Sequence, residues 1–364
     1  MATKVSADEE NQPSLMTSLP EEIIMDCVAR VPRSYYPLLS LVSKHFKSLV
    51  TSPELYVRRR SLLSRDDEYS LYVAISKNQT SCIHWYTLSR KPNNSLWLVP
   101  IPSLPPMPLH GSYVVVGSSI YVMGGFYHWG FITPCVSRID CRSHTVQHLP
   151  RMPKAVAGPV SELVDGKIYV IGGSDTRSRE MKSSSQRIMV FDTEAETWNV
   201  TKKRMNWEVK QRLFSSVEMS GNIYMRGHKN SYVYEPKGDK WEEDRILHSK
   251  EWSNSCVIDD VLYYYDVDKN CIRTYDPKER AWGVVKSVEL GGFEDGSWSY
   301  TASCGRNLVV FFHKEIVLTE TTEIWCAEIV VERRQGGEIW GKVDWCDVVL
   351  DGKSHIMKCL VVKI

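Results

Sequence analysis

The stretch from Gly158 to Trp198 reads GPVSELVDGKIYVIGGSDTRSREMKSSSQRIMVFDTEAETW and contains one complete copy of a pattern that recurs along the chain. Two short β-rich runs, Val160 to Val164 and Ile168 to Ile171, flank the dipeptide Asp165-Gly166. Asp-Gly between two such runs is the strongest short-range signal for a β-hairpin. A third run from Arg187 to Asp192 and a fourth that begins at the final tryptophan complete the unit. The stretch predicts a four-stranded antiparallel sheet that is too thin to bury its own apolar face.

Independent landmarks recur at fixed spacings in the rest of the chain. The apolar residue that opens the second strand of each unit provides five alignment positions, namely Ile120, Ile168, Ile223, Leu262 and Leu308. An aromatic residue follows in four units as Tyr121, Tyr169, Tyr224 and Tyr263, and a glycine pair ends the strand in two units as Gly124-Gly125 and Gly172-Gly173. An acidic residue precedes a tryptophan by six positions in three units, as Asp192 and Trp198, Glu235 and Trp241, and Asp276 and Trp282. A period of about fifty residues with several coinciding landmarks indicates a repeat architecture.

The combination of a glycine pair, an aromatic residue and a tryptophan resembles the kelch repeat of β-propellers, over residues 69 to 364. The resemblance implies an all-β propeller, and we expect its tryptophans to pack between neighbouring sheets, because large aromatic side chains dominate core burial. Runs from Leu71 to Ile75, Cys82 to Leu88 and Leu96 to Ile101 leave the first sheet one strand short. We expect the β-rich tail from His355 to Ile364 to be the innermost strand of that sheet and to close the ring. This arrangement counts six blades, with five or seven as alternatives.

The composition argues against several functional classes. The chain has 364 residues, with 45 Lys and Arg against 44 Asp and Glu, and the formal charge of +1 provides no field for binding nucleic acid. Its ten cysteines include no C-x-x-C pair, so neither a zinc site nor a compact disulfide framework is predicted. The N-terminus lacks an apolar signal core, and no segment approaches the roughly eighteen apolar residues of a membrane helix. We expect a protein of a reducing compartment, cytoplasmic or nuclear, with no membrane partner.

The N-terminal part has a helical character instead. Residues 1–16 are polar and expected to be disordered, residues 17–64 are expected to form a helical domain, and the charged residues 65–68 are expected to link it to the propeller. Ser18 is predicted to cap the first helix, with Glu21 completing a capping box. The apolar residues that follow at helical spacing are Ile23, Ile24, Cys27, Val28 and Val31.

Two further helices are predicted in this domain. The second carries Leu38, Leu41, Val42, Phe46 and Leu49 on one apolar stripe, and the third begins at Pro53. The third helix runs into Arg58-Arg59-Arg60, which is expected to be a solvated helix end. Fewer than fifty residues of helix bury a small core, so such a domain is usually completed by a partner.

The segments LPEEIIMDCVARVP and LLSLVSKHFKSLVTSPELYVRR are similar to the F-box, in the plant form that precedes kelch repeats. The resemblance implies docking to a Skp-like adaptor, which sits on a cullin scaffold with a RING protein and a ubiquitin-conjugating enzyme. It places the adaptor-binding residues at Leu19, Pro20, Ile23, Ile24, Val31, Leu41 and Val42. For Phe46 and Leu49, packing among the helices is the favoured interpretation.

Candidate substrate-binding residues lie in loops that are expected on one face of the propeller. Because the strands alternate in direction, the loop after each second strand and the loop into the next first strand emerge on the same face. Aromatic residues and arginines anchor protein interfaces, and the candidates in these loops are His110, Trp129, Arg177, Arg179, Arg212, Trp252 and Trp298. Trp252 and Trp298 occupy equivalent positions in two units, so the pattern fits a repeated packing role at least as well as it fits substrate contact.

No sequence motif predicts catalysis. A nucleophile elbow, a Walker loop, a zincin helix and a carboxylate dyad are all absent. His144 and His148 are spaced across a strand and turn, not along one helical face, so neither a metal nor a cofactor is predicted. Copper oxidases share the kelch architecture, but the scattered Tyr, His and Cys residues assemble no convincing ligand set.

The sequence therefore favours a non-enzymatic substrate receptor of a cullin-based ubiquitin ligase of the SCF type. In this interpretation the propeller binds a protein substrate whose identity the sequence does not reveal. The alternative is a kelch scaffold or cytoskeletal binding protein that takes no part in ubiquitin transfer.

Overall fold

The computed structural model describes residues 19–31, 33–63, 69–77, 82–90, 95–127, 131–174, 188–201, 213–290, 298–316, 321–352 and 354–364. These residues belong to two units, one within residues 1–68 and the other within residues 69–364. The segment expected to be disordered, residues 1–16, and the expected linker, residues 65–68, lie outside the described residues.

The first unit is helical, and its described part contains four α-helices where the sequence predicted three. They are α1 (Glu21–Arg30), α2 (Tyr36–Val42), α3 (Lys44–Thr51) and α4 (Pro53–Leu63), with a short 3-10 turn at Arg33–Tyr35. The second predicted helix is divided at Ser43, whose backbone is extended. The side-chain oxygen of Ser43 accepts a hydrogen bond of 3.2 Å from the backbone N–H of Phe46, so this serine caps α3. The predicted apolar stripe is therefore distributed over two helices.

The two ends of α1 are formed differently. Pro20 occupies the N-cap position and makes no side-chain cap hydrogen bond, while Ser18, the residue predicted to cap the helix, lies outside the described residues. At the other end, the guanidinium of Arg59 donates to the carbonyl oxygens of Ala29 at 2.7 Å and Val31 at 2.6 Å. Arg59 is buried. It therefore holds α4 against the end of α1, and the prediction of a solvated helix end is wrong for this residue.

The second unit consists of six antiparallel sheets, which are the blades of a propeller. The first blade contains β1 (Tyr69–Lys77), β2 (Cys82–Arg90) and β3 (Leu96–Pro100), with the short strand β4 (Met107–Pro108) paired to β2. The second contains β5 (Ser112–Val116), β6 (Ser119–Met123), β7 (Val136–Asp140) and β8 (Thr145–Leu149). The third contains β9 (Ala157–Val164), β10 (Lys167–Ser174), β11 (Met189–Asp192) and β12 (Thr197–Val200).

The remaining blades follow in chain order. The fourth contains β13 (Leu213–Met219), β14 (Asn222–Gly227), β15 (Ser231–Glu235) and β16 (Lys240–Glu243), and is followed by the short helix α5 (Arg245–His248). The fifth contains β17 (Cys256–Ile258), β18 (Val261–Asp266), β19 (Cys271–Asp276) and β20 (Ala281–Val284). The sixth contains β21 (Ser299–Cys304), β22 (Asn307–Ile316), β23 (Thr321–Arg333) and β24 (Ile339–Asp351), and the chain ends with β25 (Ser354–Lys363).

The last strand completes the first blade. β25 pairs antiparallel with β1, from Tyr69 opposite Lys363 to Lys77 opposite Ser354. The order of the first sheet is β25, β1, β2, β3, so β25 takes the place that β5, β9, β13, β17 and β21 occupy in the other blades. It contacts β21 on one side and β5 on the other, which completes the cycle of inner strands around the axis. The structure confirms six blades and the predicted closure by the C-terminal strand.

The landmarks of the repeat have identifiable roles. In the third blade, Asp165 and Gly166 have φ values of 48° and 73°, and two positive φ angles are what a type I′ hairpin turn requires. The side chain of Asp192 accepts hydrogen bonds from the backbone N–H groups of Glu194 at 3.1 Å and Ala195 at 2.9 Å. The acidic landmark therefore forms the turn that leads into the strand of the tryptophan.

The tryptophans connect neighbouring blades. The indole N–H of Trp198 donates to the carbonyl of Pro150 at 2.8 Å, and that of Trp282 donates to the carbonyl of Ile246 at 2.7 Å. Both carbonyls lie just beyond the outermost strand of the preceding blade. Trp241 packs on Tyr234 of its own blade, with ring centroids 4.8 Å apart, and on a core cluster that also includes Ile171 of the preceding blade. The prediction that these residues pack between sheets is confirmed.

We expect Gly125→Ala to lower the free energy of unfolding by about 3 kcal/mol or more, because it combines dihedral strain with a backbone clash. Gly125 has a φ of +88°, and a Cβ there would lie 2.5 Å from the carbonyl oxygen of Leu109. Gly117→Ala is the matched control, since Gly117 has a φ of +58° but nothing within 4 Å of an added Cβ. Thermal or urea denaturation measures both losses. Equal losses at the two positions would contradict the importance of the close backbone approach.

Candidate functional site

Exposed apolar side chains are concentrated on the helical unit. Leu41 is 81% exposed and Val42 66%, at the end of α2, while Leu19 and Ile23 at the start of α1 are 43% and 47% exposed. Pro20 is exposed as well. These five residues, all selected from the sequence as adaptor-binding residues, are called the apolar patch below. Large apolar side chains exposed on so small a unit indicate an interaction site.

Two of the predicted adaptor-binding residues are placed differently. Ile24 is only 9% exposed and belongs to the core of the helical unit, and adaptor contact by this residue stays a prediction. The physical reason for its burial is that successive residues of a helix point about 100° apart, so that Ile23 faces out where Ile24 faces in. Val31 is half-buried directly after α1, and its carbonyl accepts the hydrogen bond from Arg59.

Sequence reasoning missed two other exposed apolar residues of the same unit. Tyr35 lies in the 3-10 turn before α2, and Val57 lies in α4 next to the buried Leu55 and Tyr56. A helical-wheel projection of α4 would have placed Val57 on the opposite side from Leu55, since two residues span about 200° of helix.

Three of the seven predicted substrate-binding residues are described by the structure. Trp129, Arg177, Arg179 and Arg212 lie outside the described residues. His110 is exposed in the loop before β5 and stacks on Phe126, with ring centroids 5.4 Å apart. Since Phe126 lies in the loop after β6, this contact brings together the two kinds of loop that were expected on one face.

The two tryptophans of this set are packed. Trp252 is fully buried, and its indole N–H donates to the side chain of Ser231 at 3.3 Å, so it has the packing role that the sequence analysis gave as the alternative to substrate contact. It is covered by Leu247 of α5, an element that the sequence analysis did not predict. Trp298 is half-buried and stacks on His313, with ring centroids 4.8 Å apart.

Two cavities lie on the axis of the propeller, between the inner strands. The first, which we name the mouth cavity, has a volume of about 230 Å³ and is lined by residues at the starts of the inner strands together with His110 and Lys358. The second, the axial cavity, has a volume of about 390 Å³ and is lined by residues farther along the same strands. The mouth cavity opens on the face where His110 and Phe126 meet, so it lies on the side that was predicted for substrate.

One acidic side chain has an unusual environment inside the axial cavity. Glu162 of β9 accepts a hydrogen bond of 2.6 Å from the hydroxyl of Ser216 on β13. Burial raises the pKa of the Glu162 carboxyl, while Ser216 and Lys358 act in the opposite direction. This group therefore holds a proton more readily than an exposed glutamate.

The described residues show no arrangement of a metal centre. No three His, Cys, Asp or Glu side chains among them are grouped so as to hold an ion. His144 interacts with the hydroxyl of Tyr72 at 2.8 Å, and His148 with the hydroxyl of Ser137 at 3.3 Å. In the part of the chain that the structure describes, no helix has the length and apolarity needed to cross a membrane.

Comparison with known proteins gives two matches to family models. Residues 16–58 match the F-box domain, and residues 85–350 match the FKB95 Kelch-repeats domain. The chain is similar to the F-box/kelch-repeat protein At4g38940 of Arabidopsis thaliana, with 58% identity covering 96% of this chain and 95% of the relative. The putative F-box/kelch-repeat protein At3g10510 of the same plant is 40% identical, with 98% of both chains covered.

A solved structure shows a similar propeller. It is described as the structure of YjhT and superposes with a TM-score of 0.50, at 12% sequence identity, over 74% of this chain and 96% of its own. At this level of identity the similarity concerns the fold alone.

Proposed function

The chain belongs to the plant F-box/kelch-repeat family, and from this premise we propose that it is the substrate-recognition subunit of an SCF-type ubiquitin ligase. The F-box binds a Skp-like adaptor, which connects the chain to a cullin and a RING protein. The kelch propeller binds the protein to be ubiquitinated. The chain supplies no catalytic residue in this scheme, because holding a target lysine near the charged conjugating enzyme raises its effective concentration.

The apolar patch of the helical unit is the observation that supports adaptor binding most directly. Fully burying a Leu, Val or Ile side chain contributes roughly 1.5–3 kcal/mol. Leu19, Ile23, Leu41 and Val42 are all substantially exposed, so covering them with a partner would provide much of the free energy of a stable complex. Tyr35 and Val57 are exposed on the same helical unit and are further candidates for contact with a partner.

The target is expected on the face of the propeller that carries the mouth cavity. This face combines a concave opening with the exposed loop residue His110. Loops on a rigid β-scaffold are where binding residues concentrate, because they tolerate sequence variation without loss of the fold. The proposed function also places the protein in the cytoplasm or the nucleus, where such a ligase meets its targets.

Co-purification of the full-length chain with a Skp-like adaptor tests the proposal. The wild type is expected to retain the adaptor, and the double substitution Leu19→Ala with Pro20→Ala is expected to reduce recovery by about tenfold or more, through the loss of apolar contact. Val330→Ala removes an exposed apolar side chain from β23 of the propeller and serves as the matched control. Thermal denaturation verifies that the variants remain folded. A wild-type chain that retains no adaptor would instead support a kelch scaffold without a role in ubiquitin transfer.

A further inference from the structure

One position of the repeat carries a hydroxyl group in all five complete units. It lies seven residues before the residue that opens the second strand, and its occupants are Tyr113, Ser161, Ser216, Ser255 and Thr301. All five residues line the axial cavity. In the first blade, where β25 is the inner strand, Lys358 lines the same cavity. The axis of the propeller is therefore surrounded by five hydroxyl groups and one ammonium group.

Two of these hydroxyls have no hydrogen-bond partner in the part of the chain that the structure describes. Tyr113 donates to the carbonyl of Pro108, Ser216 donates to Glu162, and Thr301 accepts from the backbone N–H of Tyr265. The side-chain oxygens of Ser161 and Ser255 are buried and have no hydrogen-bond partner among the described residues. Ser161 is 7% exposed and lines both cavities. Since buried hydroxyl groups are normally paired, these two point to a polar group of a ligand.

Lys358 supplies a positive charge at the level of the mouth. Its side chain lines both cavities, so it lies where they meet. Glu162 and Glu218 line only the axial cavity. Glu162 accepts a hydrogen bond from Ser216 and also interacts electrostatically with Lys358, while burial raises the pKa of its carboxyl. Glu218 accepts from the backbone N–H of Gly221 at 2.6 Å. Among the described residues that line the mouth cavity there is no carboxylate. The mouth therefore favours an anionic group.

One aromatic side chain is exposed at the mouth cavity, and two more are exposed in the loop whose Phe126 stacks on His110 of the cavity lining. Phe214 lines the mouth cavity and lies 6.2 Å from the ring of His228. Tyr127 and Phe131 belong to the loop between β6 and β7, which also carries the Phe126 that stacks on His110. Phe214, Tyr127 and Phe131 are all exposed. Exposed aromatic residues beside a concave opening are typical of the anchor points of protein interfaces.

We propose that the mouth cavity binds the carboxylate of an aspartate or glutamate side chain on a protruding loop of the captured protein. Lys358 pairs with the carboxylate, Ser161 donates a hydrogen bond to it, and an apolar neighbour in the same loop packs on Phe214. A cavity of about 230 Å³ admits a side chain and not a folded surface, which is why the recognised element is a loop. The inference rests on the proposed function, in which the propeller captures a target, and it specifies the chemistry of the recognised segment.

Fluorescence polarisation with the full-length chain tests this assignment. The probes are the labelled peptide Gly-Gly-Glu-Leu-Gly-Gly and its counterpart with glutamine in place of glutamate. We expect the glutamate peptide to bind more tightly, and Lys358→Met to weaken its binding by about tenfold or more, to the level of the glutamine peptide, because a charge-assisted contact is lost. Lys342→Met changes an exposed lysine of β24 and is expected to leave binding unchanged.

A second pair of variants keeps the test decisive if Lys358→Met fails to fold. Ser215 lines the mouth cavity, and Ser215→Asp and Ser215→Asn introduce side chains of similar size that differ in charge. The aspartate is expected to abolish binding of the glutamate peptide and the asparagine to retain it, since only the former repels a carboxylate. Equal binding of the two peptides by the wild type, or equal behaviour of the two Ser215 variants, would overturn the proposal.

A competition experiment distinguishes a protein loop from a free anion. Acetate that displaces the glutamate peptide as effectively as the unlabelled peptide would overturn the assignment to a protein segment, because the apolar contact would then contribute nothing. Adaptor co-purification is measured separately. A failure of peptide binding with intact adaptor binding therefore counts against this inference alone, and the reverse result counts against the proposed ligase function alone.

Discussion

Deletion of residues 355–364 is expected to yield a protein without a stable propeller. The deletion removes nearly all of β25, including the buried side chains of Ile356, Leu360 and Val362. Each of these contributes roughly 1.5–3 kcal/mol through burial. Because the free energy of unfolding of a domain is only about 5–15 kcal/mol, the loss of three such side chains removes a large part of it.

The hydrogen bonds of the closure add to this effect. β1 loses its partner along eight residues, from Tyr69 to Ser76, and becomes an open edge next to the axis. Tyr300 of β21 also loses the carbonyl of Met357, to which its hydroxyl donates at 2.9 Å. Unpaired strand edges are templates for aggregation. We therefore expect insoluble expression or rapid proteolysis of the truncated chain.

Solubility, limited proteolysis and thermal denaturation measure the outcome. His355→Ala provides the control, since His355 belongs to the same strand but is exposed, and it is expected to leave the melting temperature unchanged. A soluble truncated protein that melts at the wild-type temperature would show that the other blades close the ring without β25.

The closure by β25 is an example of what the sequence could predict. The first sheet lacked a strand, the tail from His355 had no other assignment, and a ring with an open blade is physically costly, so closure by the tail was the economical arrangement, with five and seven blades as the alternatives. The sequence did not reveal the irregular register between Ala74 and Ile75, where the pairing with β25 shifts. Such a shift depends on how the strands twist around the axis, which no local pattern specifies.

Trp252 shows why the candidate binding residues were harder to predict. Its spacing from the repeat landmark matches that of Trp298, and from the sequence both belong to loops on the binding face. In the structure Asp244 caps α5 by accepting a hydrogen bond from the backbone N–H of Leu247, and Leu247 packs against Trp252. A helix of four residues has no apolar period that a sequence could display. The burial of this tryptophan was therefore not visible in the pattern.

The residues that place hydroxyl groups on the axis recur in the sequence, but the sequence analysis did not select them as a site. Ser161, Ser216, Ser255 and Thr301 occupy one position of the repeat, but short polar residues are common in strands that face solvent, so the pattern alone indicates nothing specific. In the structure, closure of the ring brings these residues together with Lys358 around one cavity. A site to which several blades contribute can be recognised only when the three-dimensional arrangement of those blades is known.

The double substitution Leu41→Asp with Val42→Asp is expected to abolish adaptor binding while leaving the helical unit folded. Both side chains are exposed at the end of α2, so charged replacements remain hydrated in the free chain. In the complex the same two carboxylates would be buried against an apolar partner, which costs several kcal/mol for each unpaired charge. We expect a loss of affinity of about a hundredfold or more, since this corresponds to about 2.7 kcal/mol.

Phe46→Asp provides the contrasting variant. The sequence assigned Leu41, Val42 and Phe46 to one apolar stripe, but the cap at Ser43 turns Phe46 into the core, where it is 8% exposed. An aspartate at this site buries a charge in the free chain itself, so we expect the helical unit to unfold. Proteolysis within residues 19–63 and adaptor binding are both measured. The double variant is expected to fail only the binding test, and Phe46→Asp to fail both.

The comparison of these variants separates the apolar patch from the fold that supports it. If the Leu41 and Val42 variant bound the adaptor normally, the contact would have to lie on another face of the unit, and the exposed Val57 of α4 would be the next residue to change. If that variant were digested as readily as Phe46→Asp, the end of α2 would be part of the core in solution. Loss of binding in a protease-resistant chain is the result expected of a surface that is exposed because a partner covers it.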